Sequence, residues 1–156
     1  MKHFAFKSLK DLGDDMRSWF DRLPTDFEVV AGVPRSGLLI ASLISLHRHI
    51  PMTDIEGLIA GRLLGGGHRF ELANPEGFLA RPRKVLVVDD SVLTGGQMRT
   101  VRAKLSKAEL PHQIVFAAAY VEPGSERFVD LCYQTLPYPR MFEWNLMHHP
   151  ALENAC

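Results

Sequence analysis

Two adjacent carboxylates, Asp89 and Asp90, directly follow the apolar run of residues 85–88, and a Thr-Gly-Gly turn follows at residues 94–96. Four consecutive apolar residues are typical of a strand that is buried on both faces, as in a parallel sheet. Ligands of open α/β sheets bind at the carboxyl ends of strands, and phosphates bind at the N-termini of helices. The segment therefore places two acids that accept hydrogen bonds from hydroxyls beside a turn that cradles an anion, a pairing that suits a sugar phosphate.

The order of residues 85–96 resembles the phosphoribosyl-diphosphate signature of the type I phosphoribosyltransferases. The resemblance implies that Asp89 and Asp90 are the catalytic acids and hold the 2- and 3-hydroxyls of the phosphoribosyl group. It also implies that backbone N–H groups of the turn and the Thr94 hydroxyl hold the 5-phosphate. The substrate-binding residues assigned to this turn are Ser91, Val92, Leu93, Thr94, Gly95, Gly96 and Gln97. Helix capping or metal binding without catalysis is the alternative for the two acids.

Two positions of the turn depart from the family pattern. Gln97 stands where relatives often carry Thr or Ser, although its amide can still donate a hydrogen bond. Leu93 stands where relatives that act on 6-oxopurines commonly have an Asp that contacts the base. Because a Leu side chain neither donates nor accepts a proton, Leu93 argues against hypoxanthine or guanine as the substrate.

A second anion-binding loop is predicted at residues 32–37, Gly-Val-Pro-Arg-Ser-Gly, where a predicted strand ends and a helix begins. The resemblance implies that this is the pyrophosphate loop. In that role the Arg35 guanidinium and the N–H groups of Ser36 and Gly37 would bind phosphate oxygens. Taken alone, the loop is explained equally well as a glycine-assisted start of a helix.

Other classes of nucleotide-binding α/β protein fit the sequence less well. Gly32 and Gly37 have the spacing of the glycines in a Walker A box, but Leu38 and Leu39 replace the Lys and Ser/Thr that the box requires. No Gly-x-Gly-x-x-Gly motif follows the first long predicted strand, which argues against a dinucleotide-binding protein.

Residues 61–83 are predicted to form a long loop, and the resemblance implies that it closes over the pyrophosphate and excludes water. Arg62 and Arg69 are its candidate substrate-binding residues, with His68 beside them. A solvated basic loop with no ligand is the alternative.

Phe142 and Trp144 lie in an aromatic segment near the C-terminus and are candidates for stacking on a flat heterocycle. Xanthine-guanine phosphoribosyltransferases, which this chain resembles loosely in length and layout, carry an aromatic closing segment after their last strand. The alternative is that both rings belong to the core or to a dimer contact. His148 and His149 are adjacent without further ligands nearby, and we do not expect them to bind a metal.

The bulk properties predict a single domain spanning residues 1–156. Lys+Arg and Asp+Glu number 18 each, so bulk charge gives no support for a nucleic-acid partner. No apolar run reaches a membrane span and the N-terminus lacks the apolar stretch of a signal peptide, so we expect a cytoplasmic protein with no membrane partner. The two cysteines, Cys132 and Cys156, do not form a disulfide framework.

The hydrophobic periodicity predicts helices and strands that alternate along most of the chain. The predicted helices cover about 8–22, a segment from residue 36 and about 95–108, and the predicted strands cover 27–33, 51–55, 84–89, 112–121 and 128–136. Ser8 and Asp11 have the spacing of a capping box at the start of the first helix. This order predicts an α/β fold with a mainly parallel central sheet flanked by helices and a C-terminal aromatic hood segment.

The resemblance predicts transfer of the phosphoribosyl group from 5-phosphoribosyl 1-diphosphate to a nitrogen of a planar, purine-like base, with release of pyrophosphate. It implies Mg²⁺ as cofactor, held mostly by substrate oxygens and water, with no dedicated protein cage. By analogy we expect a homodimer or tetramer. A regulator of the same fold that binds the nucleotide precursor without transferring it is the alternative.

Overall fold

The computed structural model of the chain describes residues 4–67 and 77–148, and it contains one central sheet with helices on both faces. The strands are β1 (Ala5–Lys7), β2 (Val29–Gly32), β3 (Met52–Asp54), β4 (Lys84–Val92), β5 (Gln113–Val121), β6 (Leu131–Thr135) and β7 (Arg140–Phe142). The helices are α1 (Leu9–Phe20), α2 (Gly37–Arg48), α3 (Ile55–Ala60) and α4 (Gly96–Lys107). Short 3₁₀ turns cover Phe78–Ala80, Glu126–Phe128 and Glu143–His148.

The central sheet has five strands in the order β3-β2-β4-β5-β6, and every neighbouring pair is parallel. The predicted α/β class with a parallel sheet is therefore confirmed. β4 lies in the middle of the sheet, and residues 85–88 are fully buried, which explains their unbroken apolar run. Their side chains alternate between two cores, with Leu86 and Val88 facing α1 and α2, and Val85 and Val87 facing α3 and α4.

The first helix confirms the predicted capping box. The Ser8 side chain accepts a hydrogen bond from the Asp11 N–H, and the Asp11 carboxylate accepts one from the Ser8 N–H. α1, α2 and α4 have 12 residues each, and across the two described segments no helix has the length and apolarity to cross a membrane.

Several element boundaries differ from the sequence prediction. The predicted strand 84–89 continues to Val92, so the two acids lie within β4 instead of after it. The predicted strand 51–55 ends at Asp54, whose carboxylate caps the unpredicted helix α3. The predicted strand 128–136 is wrong at its start, because a 3₁₀ turn ends at Phe128 and β6 begins at Leu131.

The predicted loop 61–83 contains two short structured elements among its described residues. Gly65 forms an isolated bridge with Met52, and Phe78–Ala80 is a short 3₁₀ turn. Arg69 and His68 lie outside the described residues.

The sequence prediction also missed a second, two-stranded sheet. β1 pairs in parallel with β7, with Phe6 opposite Met141. Each strand has three residues, which is too few for a periodic pattern to stand out. This small sheet joins the N-terminal residues to the segment that was predicted to be the aromatic hood.

Candidate functional site

The two acids of β4 are buried side by side at the carboxyl end of the sheet. Asp89 and Asp90 are each 4% exposed, although both are charged residue types. Asp89 Oδ1 accepts a hydrogen bond from the Asp90 N–H at 2.8 Å, and Asp90 Oδ1 accepts one from the Ser91 N–H at 2.8 Å. Burial raises the pKa of Asp89 to about 8, and the neighbouring Asp90 carboxylate adds to the shift. Burial and the neighbouring carboxylate therefore favour the protonated form of Asp89.

The loop predicted to bind pyrophosphate lies directly beside this pair. The Val33 N–H donates to the Val88 carbonyl at 2.9 Å, which continues the pairing of β2 with β4 up to the loop. The peptide bond between Pro34 and Arg35 is cis. The Arg35 side chain is exposed, and within residues 4–67 and 77–148 no hydrogen bond or ion pair is recorded for its guanidinium.

Gly37 brings the first turn of α2 into contact with the acid pair. A Cβ atom at this position would lie 2.7 Å from the Val88 carbonyl oxygen and 3.1 Å from the Asp89 Cα and Oδ1 atoms. Only glycine permits this approach, which brings the N-terminus of α2 to the same edge of the sheet as the acids. Ser36 precedes the helix and makes no side-chain cap, which leaves its hydroxyl available.

The turn predicted to bind the 5-phosphate surrounds a cavity of about 220 Å³, which its residues line together with Asp89 and Met98. The cavity is lined by Asp89, Ser91, Val92, Leu93, Thr94, Gly95, Gly96, Gln97 and Met98. Gly95 has φ 80° and lies against the Phe128 ring, so a side chain there would meet both backbone strain and a steric clash. The Leu93 carbonyl accepts a hydrogen bond from the Ser125 hydroxyl at 2.7 Å, while the Leu93 side chain is 45% exposed.

A hydrogen bond joins the two predicted anion loops. The Gln97 side-chain amide donates to the Pro34 carbonyl oxygen at 3.3 Å, across a separation of 63 residues in the sequence. The sequence analysis assigned the Gln97 amide as a hydrogen-bond donor to phosphate. In the structure this amide donates to the Pro34 carbonyl oxygen. The loops before α2 and α4 are therefore held at a defined distance from each other.

The aromatic segment after β7 reaches the acid pair. The Trp144 indole Nε1 donates to Asp90 Oδ2 at 2.8 Å, and the Asn145 side-chain amide donates to the same oxygen at 3.3 Å. The Phe142 ring is buried and clusters with two other rings, since the ring centroids are 4.8 Å apart for Phe142 and Trp144, 5.3 Å for Phe142 and Tyr120, and 6.3 Å for Tyr120 and Trp144. For Phe142 this arrangement favours the core alternative over a base contact, whereas Trp144 remains partly exposed.

Contacts with the N-terminal residues hold this aromatic segment in place. The Tyr120 hydroxyl donates to Asp15 Oδ2 at 2.5 Å, and Lys7 Nζ donates to the same oxygen at 2.7 Å. Burial and the Asp15 carboxylate both raise the pKa of Tyr120, so its hydroxyl stays protonated. The Leu9 N–H donates to the Glu143 carboxylate at 2.5 Å.

A buried arginine, which the sequence analysis did not select, connects β7 to the end of β4. Arg140 donates to the Val92 carbonyl at 2.8 Å and to the Leu136 carbonyl at 2.5 Å, and it forms an ion pair with Glu122 at 3.4 Å. Burial lowers the pKa of the Arg140 guanidinium, and the charges of Glu122 and Asp90 oppose that shift. The spacing of Arg140 from the acid pair follows no local pattern, so the sequence offers no signal for it.

Arg62 is exposed just after α3. Its carbonyl accepts a hydrogen bond from the Thr53 hydroxyl at 2.6 Å, and its N–H donates to the Gly57 carbonyl at 2.8 Å. In the described part of the chain, no recorded contact joins the Arg62 side chain to the acid pair or to either anion loop. Its assignment as a substrate-binding residue stays a prediction.

No protein-family model matches the chain, and no curated protein matches it either. Solved structures match it at low sequence identity. The Helicobacter pylori xanthine-guanine-hypoxanthine phosphoribosyltransferase has a TM-score of 0.67 and 18% identity, covering 94% of this chain and 100% of that chain. A purine phosphoribosyltransferase from Pyrococcus horikoshii has a TM-score of 0.65 and 19% identity, covering 90% and 93%.

A hypothetical protein from Neisseria gonorrhoeae with bound ppGpp has a TM-score of 0.67 and 12% identity, covering 93% of this chain and 90% of that chain. At these identities the similarity establishes the fold, which is that of the type I phosphoribosyltransferases. The resemblance seen in residues 85–96 is thereby confirmed at the level of the fold.

Proposed function

We propose that this protein is a phosphoribosyltransferase that uses 5-phosphoribosyl 1-diphosphate and a planar nitrogenous base and that releases pyrophosphate. The observation that carries the proposal is the convergence of the buried acid pair with two anion-binding loops at one edge of the sheet, with the loops joined by the bond from Gln97 to Pro34. A phosphorylated pentose that carries a diphosphate matches these three elements. Its hydroxyls suit the acid pair, its 5-phosphate suits one loop and its diphosphate suits the other.

Each element has a distinct role in the proposed reaction. The turn of residues 91–97 holds the 5-phosphate, and Arg35 with the start of α2 holds the diphosphate. A ring nitrogen of the base forms a bond to the anomeric carbon while the bond from that carbon to the diphosphate oxygen breaks. The electron pair leaves with pyrophosphate, and the proton that the ring nitrogen loses passes to water. Asp89 and Asp90 accept hydrogen bonds from the ribose hydroxyls and lie near the positive charge that develops on the sugar. Fixed positions for both reactants supply much of the rate.

The residues at the cavity fit Mg²⁺ if the substrate supplies most of the metal ligands. Among the described residues, no cluster of three or more acidic, histidine or cysteine side chains could hold a metal ion. Mg²⁺ commonly binds through one or two carboxylates, phosphate oxygens and water, and the Asp89 carboxylate lines the cavity with Asp90 next to it in β4. When bound, the ion neutralises charge on the leaving pyrophosphate.

The nature of the acceptor is constrained by Leu93. Its side chain is exposed at the cavity and offers an apolar contact without a donor or acceptor. We propose a planar base whose ring packs on apolar surface, and we place hypoxanthine and guanine low among the candidates. Both phosphoribosyltransferase neighbours described above are named for purine substrates, which keeps a purine-like acceptor in the proposal.

A second candidate function is a regulator that binds an anionic nucleotide or its precursor without transferring the pentose. Two observations favour it. Both oxygens of Asp90 already accept hydrogen bonds from protein N–H groups, and the Neisseria neighbour of the same fold was solved with bound ppGpp.

One assay separates the two functions. The full chain is incubated with 5-phosphoribosyl 1-diphosphate, Mg²⁺ and a panel of purine and pyrimidine bases, and pyrophosphate release is followed. Binding of the precursor alone is measured by calorimetry. Pyrophosphate release with any base establishes the transferase. Tight binding of the precursor without pyrophosphate release for any base in the panel establishes the regulator. If neither binding nor turnover occurs, the proposed function is wrong.

The variant Asp90→Asn provides the matched test of the acid pair. Asn keeps the shape of the side chain and removes its charge, so we expect turnover to fall by about 100-fold or more while the protein remains folded. A variant that turns over at the wild-type rate would remove Asp90 from the proposed mechanism.

A further inference from the structure

We infer that Trp144 is a positioning residue for Asp90, and that its indole N–H sets which carboxylate oxygen of Asp90 faces the pentose. The inference rests on the proposed function and deepens it, since it assigns to the aromatic segment a role in the pentose site instead of a base contact. The contact that carries it is the bond from Trp144 Nε1 to Asp90 Oδ2 at 2.8 Å, which the Asn145 amide reinforces at 3.3 Å.

The hydrogen bonds around Asp90 leave a limited number of free acceptor positions. A carboxylate has about four lone-pair positions, two on each oxygen. Trp144 and Asn145 occupy those of Oδ2, and the Ser91 N–H occupies one of those of Oδ1 at 2.8 Å. The remaining position is on Oδ1. Oδ2 therefore has no further position, and a pentose hydroxyl that donates to Asp90 without displacing Trp144 or Asn145 uses Oδ1, beside the Asp89 carboxyl that is also within hydrogen-bond reach of the Asp90 side chain.

The same bonds also fix the orientation of the carboxylate. Rotation about the last torsion of an Asp side chain has a broad, shallow profile, so nothing intrinsic to the residue selects one orientation. Donors on both oxygens, from β4 itself on one side and from the C-terminal segment on the other, select it for Asp90. Catalytic geometry is sensitive to displacements of this kind, because a misplaced acceptor loses its bond to the substrate.

The indole is held rigidly enough to act in this way. Its ring stacks on Phe142 with an interplanar angle of 19°, and Phe142 stacks on Tyr120 at 23°. Tyr120 lies on β5 in the central sheet and is 0% exposed. Since β7 also pairs with β1, the position of the indole is set by elements from both ends of the described chain.

The variant Trp144→Phe separates this role from base stacking, because it keeps an aromatic ring and removes the N–H donor. We expect the dissociation constant for 5-phosphoribosyl 1-diphosphate, measured by calorimetry, to rise about 10-fold. In steady-state kinetics we expect kcat to fall by a similar factor, with KM for the base within about two-fold of the wild type. Wild-type precursor affinity and kcat, or an effect confined to KM for the base, would overturn the inference.

Trp19→Phe is the matched control, because Trp19 is the other of the two tryptophans and is buried in α1. It makes the same chemical change at a distance from the acid pair. We expect a lower melting temperature with unchanged precursor affinity. An equal loss of affinity in both variants would assign the Trp144 effect to general destabilisation and would overturn the positioning role.

The contact is also measurable without substrate. Two tryptophans give two indole N–H signals in a proton–nitrogen correlation spectrum, and the two Phe variants assign them. Asp90→Ala should shift the Trp144 signal and leave the Trp19 signal in place, and an unshifted Trp144 signal would overturn the inference. Absence of precursor binding by the wild-type protein would instead overturn the proposed function, and the role of Trp144 toward the pentose with it. The two failures are therefore distinguishable.

Discussion

The side-chain amide of Gln97, in the first turn of α4, donates a hydrogen bond to the carbonyl oxygen of Pro34 in the loop before α2. The bond crosses between two strands of the sheet, since β2 leads into one loop and β4 into the other. A diphosphorylated pentose must be gripped at both of its anionic ends at a fixed separation. The hydrogen bond between Gln97 and Pro34 connects the two loops and so helps to hold that separation.

Gln97→Ala should therefore weaken precursor binding without weakening the fold. The side chain is exposed and makes one hydrogen bond at 3.3 Å, so we expect affinity for 5-phosphoribosyl 1-diphosphate to fall by about 3- to 10-fold. Calorimetry measures the affinity, and Thr100→Ala serves as the control because Thr100 is exposed on the same helix and its hydroxyl donates to the Gly96 carbonyl within that helix. Equal affinities for the Gln97 and Thr100 variants would contradict this role.

Gly37→Ala should both destabilise the protein and impair the site. The added methyl group would lie 2.7 Å from the Val88 carbonyl oxygen, which is backbone at the centre of the sheet and has little freedom to move. We expect a loss of about 1–3 kcal/mol in the free energy of unfolding, measured by urea denaturation, because overpacking shifts α2 away from β4. Precursor affinity should fall in the same variant.

Gly13→Ala is the matched control for that substitution. Gly13 lies in the interior of α1, and a Cβ atom there would meet nothing within 4 Å. We expect it to stabilise the protein by about 0.5–1 kcal/mol, since alanine is the better helix former. If Gly37→Ala were equally harmless, the close approach of α2 to the acid pair would be in doubt.

Asp89 should make the protein less stable as the pH rises toward 8. Its pKa is raised from 3.8 to about 8 by burial and by Asp90, so between those values the folded protein binds a proton that the unfolded chain does not. The contribution of Asp89 to the free energy of unfolding therefore falls with increasing pH, by at most about 1.4 kcal/mol per pH unit. Urea denaturation from about pH 5 to about pH 8 should show a steeper decline for the wild type than for Asp89→Asn, which cannot ionise. Parallel curves would show that Asp89 titrates as an ordinary carboxyl.

Arg35→Ala should reduce binding of pyrophosphate and of the precursor more than binding of the base. The side chain is exposed with no recorded ion pair in the described chain, so stability should stay within about 0.5 kcal/mol of the wild type. Loss of a charged hydrogen-bond donor to phosphate predicts a drop of about 10-fold or more in affinity for pyrophosphate, measured by calorimetry. Arg17→Ala, an exposed arginine on α1, is the control. Equal weakening of pyrophosphate binding and of base binding would contradict the assignment of this loop to pyrophosphate.

The segments that sequence analysis located well are those in which local chemistry is sufficient. Residues 85–88 are buried on both faces of a central strand, and their unbroken apolar sequence predicts that burial. The capping box of Ser8 and Asp11 likewise depends on atoms three residues apart. β1, β7 and α3 escaped prediction because each is too short to display a period, and because the two strands are stable only as partners of each other.

The sequence by itself determined the fold class and the position of both glycine-containing loops before helices, because periodicity and turn chemistry act over a few residues. It predicted the acids after the end of a strand, whereas they lie within β4. Only the tertiary structure decided that Trp144 bonds Asp90 across 54 residues, that Gln97 bonds Pro34, and that Phe142 belongs to a buried ring stack. It also decided the raised pKa of Asp89, which depends on burial by neighbouring elements. Contacts between distant segments depend on how whole elements pack, and no local pattern of residues carries that information.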